Sequence, residues 1–132
     1  MKIHFNSRVA AFYPGESFTQ TDELENLLGR AKIDLHYVDE GSLHLSLAAL
    51  VGFSSTVVAL PFAGKAPAQS CLLLSGLSED RLQRILAQLK EAELPIDYKA
   101  VLTPKNRDWS FGALVYEMEK EKAIQENTQK SD

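Results

Sequence analysis

The chain reads as an α/β protein, an internally duplicated β-α-β-α unit with a four-stranded mixed sheet and helices on both faces. Three observations predict it. Residues 8–52 and 70–121 run through the same order of apolar run, glycine, hydroxyl and acidic cluster, amphipathic stretch, "ID", second apolar run, polar loop and final "AL" with Val. Leucines recur at helical spacing between the apolar runs. The first run of each copy is apolar throughout, whereas the second carries charge at alternate positions, which separates covered strands from edge strands.

Taken in order, "VAAFY" opens the first copy as a central strand and Gly15 follows it. Thr19 and Asp22 have the spacing of a capping box. Leu24, Leu27 and Leu28 continue the helix stripe, which Gly29 weakens by roughly 1 kcal/mol relative to alanine. Asp34 and His36 mark "DLHYVD" as an edge strand, and the acidic loop "DEGSLH" leads to a final helix on which His44 is expected. Residues 53–68 join the copies, with "TVVAL" able to add a short strand before Gly, Ala and Pro.

The second copy begins with the central strand "CLLL" and Gly76. Ser78 is a good N-cap, Glu79 and Asp80 suit the first turn, and Leu82, Ile85, Leu86 and Leu89 form a 3.6-period stripe. Pro95 is expected to stop that helix. Asp97 and Lys99 place "DYKAVL" at the other edge, each strand-helix-strand unit being right-handed and parallel within its copy. In the last helix Leu114, Val115 and Met118 face the core while Glu and Lys alternate outside, and residues 123–132 are expected to fray.

All 132 residues fit one compact domain, and a 45% apolar, 24% charged composition is that of an ordinary globular protein. A net charge of -4 and the lack of any Lys/Arg block argue against nucleic acid. The single cysteine, Cys71, excludes an intrachain disulfide and suits a reducing compartment. The opening "MKIHFNSRVAAFYPG" has no signal-peptide core, and no apolar run is long enough to cross a bilayer, so a cytoplasmic location without membrane attachment is expected.

Several side chains invite chemistry. The loop "TPKNRDW" joins a strand end to a helix start, where free N–H groups attract anions, and Thr103, Lys105, Asn106 and Arg107 would complete a cradle for phosphate or carboxylate. The structural alternative is a capped turn in which Pro104 fixes the bend, Asn106 or Asp108 caps the helix and Trp109 lies across the core. His36 and His44 flank Asp39 and Glu40, but the spacing matches no metal motif, and His4 adds nothing to the set. Cys71 in a central apolar strand predicts a raised pKa and no access. Ser75 with Gly76 lacks the glycine-serine-glycine pattern of a nucleophile elbow, and neither Gly15 nor Gly76 belongs to a phosphate loop.

The stretch "LLLSGLSEDRLQRILAQLKEAELPIDYKAVLTPKNRDW" resembles the bacterial family catalogued as domain of unknown function 3783. The family's hallmarks are a leucine-rich helix, a "KAVLTP" strand and an "N..W" turn into a last helix. The likeness covers residues 71–121, with Leu102, Thr103, Pro104, Asn106 and Trp109 at the motif positions. It implies the fold and transfers no catalytic residue, substrate or cofactor, since the family carries no assigned activity. No catalytic set, metal site or cofactor is expected. The reading is therefore a non-catalytic interaction or regulatory module, with a protein partner or a homodimer through residues 56–62 or an edge strand. The alternative is a small-anion binding domain using residues 103–109.

Overall fold

The computed structural model describes residues 8–52 and 64–130. The chain order is β1 (Val9–Tyr13), α1 (Thr21–Arg30), β2 (Asp34–Tyr37), a 3-10 turn (Glu40–Ser42), α2 (Leu47–Leu50), β3 (Cys71–Ser75), α3 (Glu79–Glu91), β4 (Tyr98–Val101) and α4 (Phe111–Lys130). The four strands form one sheet in the order β2-β1-β3-β4. β1 pairs parallel with β2 and β3 parallel with β4, while β1 and β3 meet antiparallel with Ala11 opposite Leu73. The expected α/β class, the mixed sheet and the central position of the two all-apolar strands are all present.

Side-chain alternation explains why those strands are apolar at every position. In β1 the side chains of Val9, Ala11 and Tyr13, with Cys71 and Leu73 of β3, join a core completed by Leu47 of α2 and Phe111, Leu114 and Val115 of α4. Ala10 and Phe12, with Leu72 and Leu74, enter the opposite core with Leu24, Leu27 and Leu28 of α1 and Ile85 and Leu89 of α3. Both faces of β1 and β3 are thus covered, and all ten of their residues are buried. β2 is largely exposed. Asp97, just before β4, does more than mark an edge: its carboxylate accepts from the Ser70 N–H at 2.8 Å and hydroxyl at 3.2 Å, while its own N–H donates to Ser70 Oγ at 2.9 Å.

Two helix ends depart from the expected signals. α1 starts at Thr21 after Gln20, without a side-chain cap, so the Thr19–Asp22 box does not form. Phe18, just before the helix, is buried against Phe12, their rings 4.8 Å apart. α3 ends at Glu91, before Pro95 is reached. Glu93 takes a left-handed φ of 55°, its N–H donates to the Lys90 carbonyl, and the Leu94 N–H donates to that of Leu89. α1 ends in the same way through Lys32 and Ile33, both helices using this paired-bond motif with a non-glycine residue in its strained position. α4 extends to Lys130. Residues 56–62, proposed as a dimer contact, the "TVVAL" strand and His4 lie outside the described residues.

Both halves make matching bonds across their strand ends. The Asp34 N–H donates to the Arg8 carbonyl and the Val38 N–H to that of Phe12. In the other half the Tyr98 N–H donates to the Ser70 carbonyl and the Leu102 N–H to that of Leu74. Among the described residues, no helix is long and apolar enough to cross a membrane.

Candidate functional site

The loop before α4 is a tightly self-bonded turn. The Thr103 N–H donates to Asn106 Oδ1 at 2.8 Å, the Asn106 N–H donates to Thr103 Oγ1 at 3.2 Å, and Asn106 Nδ2 donates to the Val101 carbonyl at 3.1 Å. The side-chain oxygens of Thr103 and Asn106 and the Asn106 amide are therefore all bonded within the turn. Lys105, Arg107 and Asp108 are exposed, as is Pro104.

Neither Asn106 nor Asp108 caps α4. Ser110 does, its Oγ accepting from the Ala113 N–H at 3.1 Å, and Ser46 does the same for α2 with Ala49 at 3.2 Å. Ser46 and Ser110 face each other in an antiparallel bridge. Around it the Leu47 and Ala48 N–H groups donate to the carbonyls of Trp109 and Arg107, and those of Phe111 and Gly112 donate to Leu45 and Leu43. The two helix starts thus satisfy each other, and the first-turn donors that an anion cradle requires are already bonded. Trp109 is only half-buried at the rim of the core. The anchor at the start of α4 is Phe111, which is fully buried.

His36 and His44 are both exposed, and His44 lies in the loop before Ser46, not on a helix. Among the described residues, no group of three or more His, Cys, Asp or Glu side chains converges to hold a metal ion. Cys71 is buried, and burial pushes its thiol up to about 12 from an ordinary 9.0. Because the folded chain holds that proton more tightly than the unfolded one, the thiol's contribution to stability is complete below about pH 9 and is lost as pH rises toward 12. Urea midpoints are expected to fall over this range, and Cys71→Ala should flatten part of the fall. Tyr37, raised to about 12 by burial and its hydrogen bond to Glu25, accounts for some of the remainder.

A different site emerges between α1 and α3. There an open groove of about 800 Å³ is lined by Arg8, Arg30, Lys32, Arg81 and Arg84, and by the apolar Leu27, Leu77 and Ile85. Glu91 is the one carboxylate among the lining residues. Among the described residues, no carboxylate lies within ion-pair distance of Arg30, Arg81 or Arg84. Arg81 stands in the first turn of α3, where the helix dipole disfavours a cation. Three of the cations belong to one half of the chain and two to the other, so no local stretch of sequence brings them together. The only local signal was Arg81 following Glu79 and Asp80 in a turn that favours acids.

Fold and groove together define an α/β domain with a cationic channel between two helices on one face of a mixed sheet. Residues 70–124 match the model of the family described as Domain of unknown function (DUF3783). The matched segment spans β3, α3, β4 and the first part of α4. No curated protein and no solved structure matches the chain.

Proposed function

We propose that the chain is a non-catalytic binding module of the cytoplasm that receives an anionic partner in the groove between α1 and α3. The observation carrying this reading is the gathering of five cationic side chains along one groove of a chain whose net charge is -4. A field opposite in sign to the rest of the molecule both attracts an anion and orients it. A fluorescein-labelled polyglutamate peptide should bind in a salt-sensitive manner, followed by anisotropy. The double substitution Arg81→Glu, Arg84→Glu alters exposed side chains and should weaken binding by about tenfold or more, the scale of a lost charge pair that is partly desolvated. Undiminished binding by that variant would remove the groove from consideration.

Internal duplication is part of the same proposal. Its support is the matching bonds at both pairs of strand ends and the reciprocal capping at Ser46 and Ser110. A duplication accounts for helices α1 and α3 standing side by side on one sheet face, and hence for a groove between them.

A further inference from the structure

We infer that the occupant of the groove is a peptide segment of a partner protein carrying Asp or Glu side chains interspersed with apolar ones. This rests on the anion-binding reading above and narrows it. Arg81, Arg84, Gln88 and Glu91 follow one another at intervals of three or four along α3, a single helix face. At 1.5 Å per residue that wall is about 15 Å long. A phosphate or a single carboxylate would fill only a fraction of it.

The chemistry of the lining points the same way. Arg81 and Arg84 line the groove from α3 and Arg30 from α1, and Leu77, only partly buried, lines it too with apolar surface left to cover. Carboxylates seated on the arginines would leave a partner's apolar side chains over Leu77. Gln88 offers both a donor and an acceptor to a peptide backbone. At the far end Glu91 repels a uniform polyanion such as nucleic acid, but not a peptide whose carboxylates fall only opposite the arginines. The chain's own residues 1–7 and 53–63 contain no Asp or Glu, so their charge does not complement the groove.

The test uses the full chain and short labelled peptides followed by anisotropy. One peptide intersperses Glu with Leu, and a second has the same charge with every Leu replaced by Ser. The Leu peptide should bind at least about tenfold tighter, the equivalent of one newly buried leucine. Arg81→Glu with Arg84→Glu should abolish binding of both. Leu77→Ala, with its melting temperature measured alongside, should weaken only the Leu peptide.

Equal affinity for the two peptides overturns the peptide inference and leaves the anion-binding reading in place. So does binding of inorganic pyrophosphate or a single-stranded oligonucleotide without either peptide. Self-association lost in Arg84→Glu, read by light scattering, would make a second copy the occupant and overturn the inference as well. Failure of every probe to bind overturns both readings.

Discussion

Gly15→Ala is expected to destabilise the protein by about 3 kcal/mol, whereas Gly29→Ala should stabilise it by up to about 1 kcal/mol. Gly15 follows β1 with φ +70°, and a Cβ there would lie 2.4 Å from the Ala68 carbonyl oxygen and 2.7 Å from the carbonyl carbon of Gln69. Those atoms are backbone and cannot swing aside. The Ala68 oxygen also accepts the Glu16 N–H at 2.9 Å, and Tyr13 donates to the neighbouring Pro67 carbonyl at 2.6 Å. Moving that segment to admit a methyl group would strain or break both bonds.

Gly29 sits in the last turn of α1 with ordinary helical backbone, and nothing lies within 4 Å of a Cβ built on it. Alanine there only restricts the unfolded chain and favours the helix. Chemical denaturation of both variants checks the pair, and a shared sign would refute the geometric argument.

Phe12→Ala is expected to cost about 3–5 kcal/mol, the range for removing a buried aromatic ring. Phe12 is fully buried at the centre of the α1 and α3 core, edge-on to Phe18 at 4.8 Å and to Tyr37 at 6.4 Å. Its loss opens a cavity in the core shared by α1 and α3. A domain of ordinary stability, about 5–15 kcal/mol, has little to spare for it. Phe12→Leu should recover much of the loss. The check is the urea midpoint, with the slope of the transition compared between variants, since an unchanged slope assigns the effect to the folded core.

The strand order was legible because it follows from burial. Asp34 and His36 on one strand, and Lys99 on another, cannot be covered on both faces, while "VAAFY" and "CLLL" lose nothing by it. Helix stripes were legible for the same reason, and Leu24, Leu27, Leu28, Ile85 and Leu89 are all buried. Helix ends were less so. α1 starts after Gln20 without any side-chain cap to mark it, and the end of α3 is closed at Glu93 by backbone bonds that any residue tolerating a left-handed conformation can make. Ser110 was hidden behind Asn106 and Asp108, which are equally good caps in isolation. The groove was illegible for a topological reason. Arg30 and Arg84 come from different halves of the chain and become neighbours only once β1 and β3 pair antiparallel.

The reciprocal bonding at Ser46 and Ser110 bears on how the molecule comes apart. A helix as short as α2 cannot nucleate by itself, and two of its first donors wait for the carbonyls of Arg107 and Trp109, which arrive much later in the chain. α4 depends in turn on Leu43 and Leu45. Loosening either half exposes orphan amides in the other, so the penalty for opening one is charged to both. The two halves are therefore bound to melt together in a single all-or-none transition, with slow amide exchange at Leu47 and Phe111 limited by the same global event.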